Sequence, residues 1–124
     1  LDFPMTTDSS QFDSILQKIL TFRDARDWKK YHIPRNLAIS IAIEAAEILE
    51  LFQWNLKHNQ KLTDGEKVAL AEELADVMIL CFLLAHECDI DPYKAIIKKI
   101  EKNALKYPKE RPELGWQNKQ ERNR

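Results

Sequence analysis

Residues 37–52 read LAISIAIEAAEILELF, a run in which the only polar residues are Ser40, Glu44, Glu47 and Glu50. At about 100° per residue, Ser40, Glu44 and Glu47 share one narrow strip of a helix, with Glu50 to one side. The remaining circumference is apolar. Residues 73–85, ELADVMILCFLLA, repeat the theme. Glu73 and Asp76 stand three apart on one face, and that face continues into Leu80, Leu83 and Leu84 within a stretch apolar all round. A helix of that kind is a buried helix, so residues 77–85 are expected to be covered and the fold to be all-α.

Working outward, Ser9 or Ser10 can cap a first helix. It is expected to run to about Lys30, with Phe12, Ile15, Leu16, Ile19, Leu20 and Phe22 at helical spacing. Pro34 fits the first turn of a second helix reaching about Leu56, followed by a polar loop over 57–62. Thr63 with Glu66 three residues on is a capping box for a third helix ending near Glu87. Asp91-Pro92 opens a fourth, lined by Tyr93, Ile96, Ile97, Ile100 and Leu105, which stops before Pro108. Residues 1–8 and 109–124 show no period and read as flexible, Trp116 being the tail's one large apolar residue. The expectation is a single domain over 1–124 with its core at about 9–107, a four-helix bundle.

Composition agrees. The chain of 124 residues has two glycines, 44% hydrophobic and 31% charged residues, ordinary for a soluble helical domain. Its net charge of −1 lacks the excess of positive charge that a nucleic-acid partner demands. No secretory pattern opens the sequence. The longest apolar run, Val77 to Ala85, is far short of the roughly 20 residues that span a bilayer. Cys81 and Cys88 lie roughly 10 Å apart along one helix, too far for a disulfide, and read as buried reduced thiols of a cytoplasmic protein.

Taken alone, the Glu44–Glu47 strip could simply face water. Glu73 and Asp76, at the mouth of an apolar face, make that less economical, because buried carboxylates must be paired or coordinate a cation, and too few lysines stand nearby. Two carboxylate pairs, each at i, i+3, on helices packed antiparallel would form a cage of hard oxygen donors. Such a cage suits Mg²⁺ or Mn²⁺ rather than zinc, and Mg²⁺ bridges to phosphates. A di-iron bundle would need Glu-x-x-His; none of His32, His58 and His86 has a glutamate three residues before it.

Glu44-Ala-Ala-Glu47, 25 intervening residues and Glu73-Leu-Ala-Asp76 resemble the E-x-x-E … E-x-x-D signature of the all-α nucleoside triphosphate pyrophosphohydrolases, the MazG-like superfamily. Phe22 to Trp28, His32 to Leu37, the segment through Phe52-Gln53-Trp54, and Lys102-Asn103 with Tyr107-Pro108 look like its dCTP pyrophosphatase subgroup. The resemblance covers roughly residues 12–108. It implies cleavage of a (d)NTP between the α- and β-phosphates, in a house-cleaning role, with Glu44, Glu47, Glu73 and Asp76 holding Mg²⁺. It also implies Trp28 and Trp54 flanking the base, His32, Asn36 and Asn103 making polar contacts, and Lys99 meeting the phosphates. Vertebrate members carry a tyrosine where this chain has Leu80 and a histidine where it has Ile19. That departure implies a more permissive pocket for pyrimidine deoxynucleotides, dCTP or a modified dCTP among them.

Each of these residues has a plainer role open to it. A tryptophan is more often core than platform, His32 can satisfy backbone groups, Lys99 sits in a basic run, and Asn103 can cap a helix end. The competing functions are a non-catalytic helical interaction module and a dUTP-type pyrophosphohydrolase. The second and third helices are apolar on more faces than one copy can cover, which predicts a homo-oligomer, and the resemblance implies a tetramer built from two dimers.

Overall fold

The computed structural model of the chain describes residues 9–53 and 61–114. Among these are four α-helices, α1 (Ser10–Ala25), α2 (Pro34–Glu50), α3 (Asp64–Glu87) and α4 (Pro92–Lys106), a 3-10 turn at Lys29–Tyr31, and no strand. The expected all-α class is met. The chain divides into two compact units, Leu1–Ile90 and Asp91–Arg124. Among the described residues no helix is long and apolar enough to cross a membrane.

Local chemistry sets the helix starts. Thr63 Oγ1 accepts the Glu66 N–H at 3.2 Å while Glu66 Oε1 accepts the Thr63 N–H at 2.8 Å, the reciprocal capping box expected for α3. Accepting that backbone bond holds the Glu66 carboxyl below its ordinary pKa. Asp91 Oδ1 accepts the Lys94 N–H at 3.1 Å, with Pro92 in the first turn of α4. Ile33 is extended, as a residue before proline should be, and Pro34 starts α2. Ser9 occupies the N-cap of α1 without a side-chain capping bond.

The stops differ from expectation. Helix α1 ends at Ala25, not near Lys30. The Trp28 N–H reaches the Arg23 carbonyl at 3.2 Å and the Asp27 N–H that of Asp24 at 3.1 Å, the two bonds of a Schellman stop. The left-handed residue such a stop needs is Asp27, at φ 55°. The device recurs at the end of α3, where Ile90 N–H meets the Ala85 carbonyl, Asp89 N–H meets that of His86, and Asp89 also has φ 55°. Helix α2 stops at Glu50 rather than Leu56. Leu51, Phe52 and Gln53 donate to carbonyls three residues back, the tighter pattern that closes a helix. Trp54 and the loop after it, like residues 1–8 and the tail with Trp116, lie outside the described residues.

In the first unit α2 and α3 pack antiparallel. Leu37 and Ser40 share a cavity wall with Leu80, and Leu51 and Phe52 share another with Gly65, Ala69 and Leu70. The register therefore brings Glu44 and Glu47 opposite Glu73. Helix α1 joins α3 through the Phe12–Phe82 ring contact, 5.6 Å between centroids, and through an ion pair from Arg23 to Glu87.

One expectation needs correction at this level. The run 77–85 is not enclosed by a single chain. Leu37 and Leu83, at 2% and 4% exposure, are the buried hydrophobic residues among those described, while Met78 remains 59% exposed and Ile79 is also exposed. Cys81 and Cys88 are likewise free and exposed rather than buried. Two neighbouring helices cover only part of a cylinder that is apolar on every side.

Candidate functional site

The antiparallel register puts the i, i+3 pair of α2 against the first acid of α3. One carboxylate oxygen from each of Glu44, Glu47 and Glu73 lies within 4.8 Å of the other two, and all three side chains are half-buried. The Oε2 atoms of Glu44 and Glu73 are buried and have no hydrogen-bond partner among the described residues. None of the ion pairs among the described residues includes any of the four acids. Asp76, the fourth, is exposed and stands outside the triad, yet close enough for its charge to be felt by Glu44 and Glu73.

The electrostatics follow. Sharing a hydrogen bond with Glu47, reinforced by burial and then by the charges of Glu47, Glu44 and Asp76, pushes the Glu73 carboxyl up to about 7. Burial first, then the hydrogen bond to Glu47 and the charges of Glu47 and Asp76, raises Glu44 as well. Like charges crowded together without cations hold protons that carboxylates ordinarily lose. A divalent cation removes the cause. The donor set is oxygen only, with two buried orphan oxygens to satisfy, and it fits a hard ion such as Mg²⁺ or Mn²⁺.

Beside the triad is a cleft of 320 Å³ lined by Trp28, Tyr31, His32, Asn36, Leu37, Ser40 and Leu80. Ser40 is four residues, roughly 6 Å, before Glu44 on α2, and Leu80 is seven residues, roughly 10 Å, after Glu73 on α3, so the cleft lies one to two turns along the helices from the triad. Trp28 stands edge-on to Phe22 at 5.6 Å, and the Arg26 guanidinium covers the Phe22 ring at 3.6 Å. The Asn36 amide donates to the Tyr31 carbonyl at 3.2 Å. His32 Nδ1 is buried and has no partner among the described residues. Burial, then the neighbouring Arg23 charge, lowers the His32 pKa, with Glu87 acting in the opposite direction.

The structure thus brings Trp28, His32 and Asn36 into one cleft and Glu44, Glu47 and Glu73 into one cluster. Glu50 is exposed and does not belong to the cluster. Lys99, exposed, and Asn103, half-buried, lie about one turn apart on α4 in the second unit, and Trp54 is outside the described residues. Sequence reasoning missed Tyr31 as a wall of the cleft and gave no role to Arg23, which is 4% exposed. A signal for Arg23 existed. It continues the stripe Phe12, Leu16, Ile19 and Leu20, whose members are half-buried, whereas Ile15 and Phe22 are exposed.

Comparison with known proteins gives three concordant findings. A profile of the MazG-like family matches residues 39–115. The dCTP pyrophosphatase 1 proteins of Rattus norvegicus and Homo sapiens are 40% and 39% identical over 90 residues, covering 70% of this chain and 53% of theirs. The chain therefore spans about half the length of these curated relatives. The crystal structure of a pyrophosphatase from Archaeoglobus fulgidus superposes with a TM-score of 0.69 at 40% identity, over 85% of this chain and 99% of that one.

Proposed function

The chain belongs to the MazG-like family, and on that premise we propose that it is a nucleoside triphosphate pyrophosphohydrolase. It would convert a (d)NTP to the monophosphate and pyrophosphate, with a pyrimidine deoxynucleotide such as dCTP or a modified dCTP as substrate. The observation that carries this reading is the placement of an aromatic-walled cleft with polar groups on its wall one to two helical turns from a cluster of carboxylates. A base in the cleft leaves its sugar to bridge that distance and its phosphates to reach the acids.

Glu44, Glu47 and Glu73 would hold the metal, Mg²⁺ or Mn²⁺ in its place, with Asp76 completing the set from the rim. Such an ion neutralises phosphate charge and acidifies a water. The residues themselves do the rest. The face of Trp28 offers stacking that tolerates any base, and Leu37 and Leu80 exclude water beside it. His32 and Asn36 supply polar contacts at the cleft wall, and we assign Trp54, Lys99 and Asn103 to the substrate as well. A leucine at position 80 leaves room that a larger ring would fill, which suits a substituted pyrimidine. The house-cleaning role, the cytoplasmic location and the homotetrameric assembly belong to the same proposal, and exposed free thiols agree with a reducing compartment.

The decisive experiment measures pyrophosphate release from each dNTP and from 5-substituted dCTP, with and without Mg²⁺, for the native chain and Glu47→Ala. Release that needs Mg²⁺, favours the pyrimidines and vanishes in the variant is expected. No release from any nucleotide by a folded, correctly assembled protein would assign the chain instead to a non-catalytic module on the same fold, and preferential turnover of dUTP would move it to the dUTP-type branch.

A further inference from the structure

Arg23 is the one buried charged residue among those described. Its Nη1 donates to Glu87 Oε1 on α3 at 3.0 Å, and its Nε donates to Asp24 Oδ1 at 2.9 Å. Its backbone carbonyl accepts both the Arg26 N–H and the Trp28 N–H at 3.2 Å. One residue thus closes α1, fixes the direction of the segment that follows and bolts that segment to the last turn of α3. The segment carries Trp28, Tyr31 and His32, three walls of the cleft. Its far end is held by the Asn36 amide on the Tyr31 carbonyl. Leu80, the wall contributed by α3, lies two turns before Glu87 on the same rigid helix.

Stability alone does not account for an arginine in this position. Arg23 is buried while Glu87 and Asp24 keep part of their surface in water, and the cost of desolvating the guanidinium offsets much of the attraction. What an ion pair supplies and an apolar contact does not is a fixed direction, since the planar guanidinium hydrogen-bonds through a rigid fork. The neighbouring His32 agrees with that reading. Its buried Nδ1 has no partner among the described residues, and its backbone N–H is tied to the Lys29 carbonyl at 3.0 Å, so the imidazole relies on that backbone anchor to keep its place.

We propose that Arg23, through its bridge to Glu87, is a positioning residue that sets the separation of the Trp28–His32 wall from Leu80 and thereby governs nucleotide binding in the cleft. The inference rests on the pyrophosphohydrolase reading for its substrate but involves none of the metal-binding acids. Losing the bridge loosens one wall of the cleft and leaves the carboxylate triad on α2 and α3 intact, so ground-state binding should suffer and turnover should not.

The test compares the native chain with Arg23→Met, Arg23→Lys and Glu87→Gln. In Arg23→Met the KM for the best dNTP is expected to rise about fivefold or more with kcat within about twofold, the signature of lost uniform binding. Glu87→Gln should move KM the same way by less, and Arg23→Lys should recover most of the loss. The thermal shift produced by Mg²⁺ should be equal in all four proteins. A folded Arg23→Met with native KM overturns the proposal. So does a fall in kcat together with the Mg²⁺ shift, or failure of both Arg23→Met and Glu87→Gln to fold, since either makes the bridge merely structural. Calorimetric binding of a non-hydrolysable α,β-imido dNTP separates this proposal from the activity it rests on. A native chain that releases no pyrophosphate yet binds the analogue with Arg23-dependent affinity removes the activity and keeps the positioning role; one that does neither removes both.

Discussion

Glu73 concentrates the chemistry of the site in one side chain. Its carboxyl stands near 7 against an ordinary 4.5, so the sign of its pH effect is fixed. Below about pH 4.5 it is protonated folded and unfolded alike. Between 4.5 and 7 the folded chain retains a proton that the unfolded chain has released, and stability must fall as pH rises through that window. Metal-free melting curves at pH 4.5, 6 and 7.5 should show this decline, and Glu73→Gln should remove most of it; equal slopes for the two proteins would sink the assignment. On the proposed reading Mg²⁺ would compete with those protons, so its thermal shift should be larger at pH 8 than at pH 5.5. For turnover, Glu47→Gln removes the carboxylate that hydrogen-bonds both neighbours. Changes one shell out from a metal commonly cost about 10–100-fold, and loss of a ligand should exceed about 100-fold in kcat at unchanged oligomeric mass. The triad was legible because carboxylates at i, i+3 stand out against an apolar run. That Asp76 stays at the rim was not, since spacing along a helix fixes direction but not depth.

The ends of the helices divide by how their signals are encoded. The capping box at Thr63, the Asp91 cap and Pro34 are written within four residues of chain, and each was readable in advance. The Schellman stops were not, because the usual mark is glycine, and here aspartate takes the left-handed position at both Asp27 and Asp89. The left-handed region costs an ordinary residue about 1–2 kcal/mol, and glycine's extra chain entropy costs about 0.5–1 kcal/mol. Asp89→Gly should therefore stabilise the protein by about 0.5–1 kcal/mol, seen as a higher urea midpoint at constant slope, with no change in pyrophosphate release. Thr63→Ala should do the reverse, by about 1 kcal/mol, and Thr63→Ser should be close to neutral. Arg23 escaped sequence reading for a different reason. Its partner Glu87 is 64 residues away, and no local pattern pairs them.

At the scale of the whole molecule, periodicity predicted more burial than one chain provides. Ile39 and Ile43 on α2, and Val68, Leu74, Met78 and Ile79 on α3, are all exposed. Full burial of side chains of this size is worth about 1.5–3 kcal/mol each, too much to leave in water on a chain with two buried hydrophobic residues among those described. A second copy supplies the matching surface without any new chemistry, since a two-fold interface needs only that the patch complement itself. The protein should accordingly run in light scattering at a multiple of 14.6 kDa, four copies being the expected count, and its melting temperature should rise with protein concentration. Met78→Glu, which sets a charge in the middle of the uncovered face, should lower both the mass and the melting temperature, whereas a charge at Glu72, already exposed and polar, could be reversed with little effect. A monomeric mass at micromolar concentration would leave those apolar faces unexplained and would overturn the assembly. Because the same two helices carry the acids, loss of assembly in Met78→Glu should reduce pyrophosphate release in proportion to the fraction dissociated, and dilution of the native protein should trace the same curve.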